Sequence, residues 1–261
     1  MKLTIITPIH KLDIERDILE TMFESVSKQT DKEFNFVIAS FDRYKSQIIN
    51  ANSHNVKFDF LSLPDELHDI YPNYTEIINF AVHTINTPYF TILQYDDVLN
   101  NSFVKNVHTY TTAYPTVSVF LPIVLEFDGN SFVRSVNEAV WNIDYTAKQG
   151  YLDFDTLKKM NIFSFVGAIY KTEEFLENNG FKHTIKVFFE YEYYLRILYK
   201  MSEVMVIPKF MVRHTINRAN CLTSFYENID KLEGKFYLDL SRKEYFFNED
   251  RQIVYTPTQS T

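Results

Sequence analysis

A single cysteine, Cys221, in 261 residues excludes an intramolecular disulfide and fits a reducing compartment. Glycine is scarce at five residues, and no GxGxxG or GxxxxGK[ST] pattern occurs, which removes the dinucleotide fingerprint and the P-loop. HExxH and paired CxxC motifs are also absent, and with them the common zinc sites. No window of about 18 consecutive apolar residues exists, so a membrane-spanning helix is not expected. The 26 lysines and arginines are outnumbered by 34 acidic residues and are scattered, so the chain lacks the positive footprint of a nucleic-acid binder. The opening "MKLTIITPIH" is cut by Pro8 and His10, and reads as a first strand and not as a signal peptide. A cytoplasmic protein is the expectation.

What is present is an ordinary globular composition, 46% hydrophobic and 23% charged, with 24 Phe and 18 Tyr. Residues 3–8, "LTIITP", read as a strand buried on both faces. In "ERDILETMFESVSKQT", Ile18, Leu19, Met22, Phe23 and Val26 recur at helical spacing. Strand "FNFVIAS", a helix near 43–52, strand "VKFDFLSL", helix "NYTEIINFAVHTI" and strand "YFTILQY" follow. This alternation predicts an α/β fold with a mainly parallel sheet flanked by helices. The second half predicts helix "SFVKNVHTYTTAY", a strand and hairpin through "VSVFLPIVLEFDGNSFVRSV", helices "TEEFLENNG" and "KVFFEYEYYLRILYKM", and strand "VMVIPKFMVRHT". Beyond about residue 226 the pattern turns polar and aromatic. The expected organisation is one domain over 1–225 with an extension over 226–261 packed on it.

The stretch "YFTILQYDDVLN" ends an apolar strand on two adjacent carboxylates, Asp96 and Asp97. Ligands of open α/β sheets bind beyond the carboxyl ends of strands, where Thr7, Pro8 and Asp42 also fall. The bland reading is a pair of helix N-caps. The alternative is a hard divalent cation, Mn²⁺ or Mg²⁺, which takes one or two carboxylates and completes its shell with water and phosphates. Because strand side chains alternate, Asp96 is assigned to the metal and Asp97 to orientation, capping or substrate contact.

At these residues the chain resembles a family 2 glycosyltransferase, a nucleotide-sugar-dependent enzyme of the GT-A, Rossmann-like fold. "LTIITPIH" resembles the family's opening strand, "FESVSKQT" its following helix end, and "NFVIASFD" its second strand with a base-binding Asp. "INFAVHTINTPYFTILQYDD" aligns without a gap to the segment that carries the family's Asn and its DxD metal motif. "FEYEYYLRI" resembles the helix whose acid is the catalytic base, "GAIYKTEEFLENNGF" the segment before it, and "VRHT" the strand end whose His approaches metal or diphosphate. The likeness runs over roughly residues 3–224 in separate motifs.

The resemblance implies an inverting, metal-assisted sugar transfer from a nucleotide-diphosphate sugar to a glycan or other acceptor hydroxyl. It implies Glu190 as general base and Asp96 with His214 at the metal. Thr7, Pro8, His10, Asp42, Asn79, Tyr95, Asp97 and Arg213 are the implied donor contacts, with Arg218 a second phosphate candidate. Four positions depart from the pattern: Gln94 stands for the first Asp of DxD, Glu190 for Asp, Ile78 for Arg and His10 for Tyr. The bland reading of Glu190 is a solvated first-turn Glu, and that of Glu192 with Arg196 is a surface i,i+4 ion pair. A buried structural role is the simpler reading of Cys221. A nucleotidyltransferase on the same fold and an inactive nucleotide-sugar-binding relative are the alternatives.

Overall fold

A computed structural model describes residues 2–10, 15–63, 74–159, 162–218 and 227–242. Cys221 and the chain beyond Arg242 lie outside the described residues. The strands are β1 (Leu3–Ile9), β2 (Phe34–Phe41), β3 (Asp59–Leu63), β4 (Tyr89–Ile92), β5 (Val98–Leu99), β6 (Val119–Asp128), β7 (Ser131–Val136), β8 (Tyr151–Leu152), β9 (Ile169–Lys171) and β10 (Val204–Ile216). The helices are α1 (Arg16–Ser27), α2 (Asp42–Ala51), α3 (Tyr74–Thr84), α4 (Phe103–Ala113), α5 (Phe154–Lys159), α6 (Thr172–Glu177), α7 (Phe189–Tyr199) and α8 (Glu227–Arg242).

The strands form one sheet in the order β3-β2-β1-β4-β9-β6-β10-β5, with β7 added on β6 and β8 on β10. The first four strands of that order pair in parallel. Beyond β4 the sheet is mixed: β9 runs antiparallel to both β4 and β6, while β10 returns parallel to β6. The uninterrupted apolar run of β1 is buried at every position, as a strand covered on both faces must be. In α1 the 3.6-residue period turns Leu19, Met22, Phe23 and Val26 inward. Phe23 meets Phe36 edge-on and lies tilted against Phe58.

The aromatic excess fills the wedge between β9 and α7. Tyr170 stacks on Phe90 at 5.1 Å and Phe165 on Tyr194 at 4.1 Å, with Phe175, Phe181 and Tyr193 edge-on around Tyr170 or tilted against one another. The β10 register slips twice between Ile207 and Val212, beside Pro208, which has no ladder donor to give. Helix α8 packs against α5 and α7. Its Gly234 approaches Phe188 so closely that an added Cβ would sit 3.1 Å from the ring.

Candidate active site

Strand β4 stops at Ile92, earlier than the apolar pattern implies. The Leu93 N–H still reaches the Ile6 carbonyl at 2.9 Å, and the chain then turns, the Asp97 N–H donating to the Gln94 carbonyl at 3.1 Å. Asp96 and Asp97 therefore occupy a turn, and alternation along a strand is not what separates them. The short β5 that follows pairs Val98 with Arg213, which brings Asp97 beside His214. Asp97 is 1% exposed and its Oδ1 lies 2.7 Å from His214 Nδ1. Asp96 instead lines an open cavity of about 320 Å³ at the carboxyl end of β4.

That cavity also takes His10, Tyr74, Tyr95, Phe189, Glu190 and His214 into its walls. Glu190 stands in the first turn of α7, across from the β4 turn. Its neighbour in the aromatic wedge, Tyr170, points its hydroxyl at Oε1 from 3.4 Å. Burial raises the Glu190 carboxyl from its ordinary range to about 7, against the opposing pull of Tyr170 and His214. Burial followed by the Asp97 charge likewise raises Asp96 to about 6, with Arg218 at 3.7 Å and His214 acting in the other direction. For His214, burial alone would lower the imidazole, but the Asp97 charge and hydrogen bond raise it to about 9. Two carboxylates with the affinities of weak bases thus face one cavity beside a protonated imidazole.

The remaining expected residues divide. Thr7 and Pro8 are buried in β1 and Asp42 is exposed on the first turn of α2, and none of the three lines the cavity. Arg213, one residue from His214, projects to the other face of β10 by strand alternation. Its guanidinium lies 4.2 Å from the Phe127 ring centroid and donates to the Gly129 carbonyl, so it is turned away from the cavity. Asn79 is committed elsewhere: its Nδ2 donates to the Phe181 carbonyl at 2.7 Å, and its Oδ1 accepts from the Phe181 N–H at 3.0 Å. Gly180 adopts a left-handed φ of +57°, and a Cβ there would meet Asn79 Oδ1 at 2.5 Å. Asn79→Ala strands both Phe181 groups, at about 1–3 kcal/mol for an unsatisfied buried group. The urea midpoint of that variant is expected to fall, and an unchanged midpoint would show the latch to be dispensable.

The Glu192–Arg196 pair forms, but it is buried and not on the surface. Glu192 is fully buried and receives Arg196 Nε at 2.9 Å together with Lys182 Nζ at 2.7 Å. Arg196 also donates to the Asn178 and Gly180 carbonyls. Asn79, Gly180, Arg196 and Glu192 are thus one scaffold that fixes α7, and with it Glu190. A second support was invisible in the sequence. Glu233 of α8 accepts the backbone N–H groups of Lys186 and Val187 at 2.8 Å and of Phe188 at 3.1 Å. It anchors, from another helix, the segment that leads into α7, so no local spacing announces it.

Among the described residues, no group of three or more His, Cys, Asp or Glu is arranged to hold a metal ion. The donor set fits a cation only in part. Asp97 Oδ2 is buried with no hydrogen-bond partner among the described residues, and burial and its neighbour's charge raise the Asp96 carboxyl to about 6. A cation would relieve both, yet of the adjacent pair Asp96 is the carboxylate on the cavity wall, so much of the shell would come from phosphate and water. His214 commits Nδ1 to Asp97 at 2.7 Å, so it could reach a cation only through Nε2, the usual arrangement of a carboxylate-oriented histidine ligand.

No known family model and no curated protein matches the chain. Solved structures do. TarS 1-349 of S. aureus in complex with UDP superposes with a TM-score of 0.61 at 15% identity, covering 94% of this chain and 74% of that one. The same protein with UDP-GlcNAc gives 0.62 at 15% identity, over 89% and 65%. The mannosyltransferase PcManGT from Pyrobaculum calidifontis, in complex with GDP-Man and Mn²⁺, gives 0.59 at 13% identity, over 84% and 58%. The fold is therefore the mixed α/β, GT-A-like fold of these glycosyltransferases.

Proposed function

We propose that the chain is an inverting glycosyltransferase that moves a sugar from a nucleotide-diphosphate donor to an acceptor hydroxyl with the help of a divalent cation. The observation that carries this reading is a single cavity at the strand ends with Asp96 on one wall and a raised carboxyl, Glu190, on the other. The UDP, UDP-GlcNAc and GDP-Man complexes of the structural neighbours support the choice of ligand class.

In this reading the diphosphate lies against Asp96, Arg218 and the imidazolium of His214, which Asp97 orients and keeps charged. A bound divalent cation would neutralise charge on the departing diphosphate. Glu190 accepts the proton of the acceptor hydroxyl as its oxygen bonds to the anomeric carbon. The bond from that carbon to the diphosphate breaks on the opposite side, so configuration inverts. A cavity of about 320 Å³ holds the reacting part of such a donor. The base extends along the strand ends toward Thr7, Pro8 and Asp42.

The test is a thermal-shift panel of nucleotide-sugars that includes UDP-GlcNAc and GDP-mannose, each with and without Mn²⁺. A ligand at a hundredfold its Kd stabilises the folded state by about 2.7 kcal/mol, roughly 5–10 °C for a chain of this size. A Tm that no nucleotide-sugar moves would contradict the proposal.

A further inference from the structure

Tyr74 opens α3 and lines the same cavity, yet no motif in the sequence marks it. Its side chain is only 9% exposed, and its hydroxyl has no hydrogen-bond partner among the described residues. The ring is held firmly: His10 meets it edge-on at 5.6 Å and Phe189 lies tilted against it at 6.0 Å. A phenol body fixed this way, with its polar tip unpartnered among the described residues, is an anomaly for a folded protein. A phenylalanine would pack equally well and would leave no polar atom buried without compensation.

Glu190 and Asp96 line the same cavity as Tyr74. The charges that act on it most are Glu190 first, then Asp96 and Asp97. Burial first, and these charges after it, keep the hydroxyl protonated well above neutrality, so it is an O–H donor. Glu190 is where the acceptor attacks and Asp96 is where the diphosphate departs, and the transferred sugar is what lies between. We infer that the Tyr74 hydroxyl donates a hydrogen bond to an oxygen of the transferred sugar, and that Tyr74 is a substrate-contact residue that selects among donors. This inference rests on the glycosyltransferase reading. A site that hydrogen-bonds a sugar hydroxyl disfavours an analogue lacking it, because its own donor is then left unpaired.

Tyr74→Phe removes one oxygen and keeps the ring contacts. Donor hydrolysis, followed as release of nucleoside diphosphate, needs no acceptor and can be run with UDP-GlcNAc or GDP-mannose, whichever binds. The expected kcat/KM of the variant is lower by about tenfold, the equivalent of one neutral hydrogen bond. Affinity for the bare nucleoside diphosphate should be unchanged, and Tm should hold or rise, since an uncompensated polar atom has gone. A purely structural tyrosine would give the opposite pairing, a lower Tm with unaltered turnover. A variant whose kcat/KM matches that of an active wild type would overturn the inference alone. An equal loss of affinity for the bare nucleoside diphosphate would overturn it too, by placing Tyr74 at the nucleotide. A wild type that binds no nucleotide-sugar would overturn the parent reading.

Discussion

Glu190→Gln is expected to lower turnover by about 10²- to 10⁴-fold, the usual contribution of a positioned general base. The amide keeps the shape and the contact with Tyr170 but cannot take a proton. Donor affinity should barely change, because the residue faces the attacking hydroxyl and not the diphosphate. Glu190→Asp should keep part of the activity, its carboxylate one methylene short. The wild-type rate should rise with pH and level off above about 7, where burial places this carboxyl.

The stability effect has the opposite sign. A carboxyl raised from 4.5 to about 7 is stabilised by folding in its protonated form. Its contribution is full below the ordinary value and is lost as pH rises through about 7. Gln mimics the protonated form, so the variant should be at least as stable as wild type above pH 7 while being far slower. An ordinary solvated Glu in a first turn would lose about 0.3–1 kcal/mol on neutralisation and no turnover. A Gln variant that turns over at near the wild-type rate would make Glu190 structural.

Asp96→Ala should abolish Mn²⁺-dependent donor binding. Asp96 is the carboxylate of the adjacent pair that reaches the cavity, since Asp97 is buried against His214. Removing it takes away the cavity-facing oxygen ligands that a cation shared with phosphate would use. The fold should not suffer, because the lost charge is one that burial and Asp97 already disfavour. Undiminished calorimetric affinity for UDP or GDP with Mn²⁺ in this variant would remove Asp96 from the site.

The parallel half of the sheet was legible because its strands are unbroken apolar runs and its helices carry a clean 3.6-residue period, as in β1 and α1. The strands over Val98–Leu99, Tyr151–Leu152 and Ile169–Lys171 were not, since two or three residues are too few for any period to show. The expected strand over 56–63 begins only at Asp59, and Phe58 is held by side-chain packing on Phe23 and Phe36 without ladder pairing.

Within the site, motif order brought Asp96, Glu190, His214, His10 and Tyr95 to one cavity, but it said nothing of partners. Asn79 stands out in the aligned segment, yet a backbone latch and a ligand contact leave the same letter in the sequence. Glu192 reads as a surface residue by its i,i+4 partner alone, because Lys182 reaches it from ten positions earlier. Tyr74 and Glu233 act across the fold, on a cavity and on another helix, and neither sits in a local pattern.

The most direct test of the central claim is a calorimetric titration of UDP-GlcNAc and GDP-mannose into the wild-type chain above pH 7, with and without Mn²⁺. The account predicts saturable one-to-one binding of a nucleotide-sugar, tightened by the cation, displaced by the matching nucleoside diphosphate and lost in Asp96→Ala. Absence of binding for both donors under both conditions, or binding that Asp96→Ala leaves intact, would contradict it.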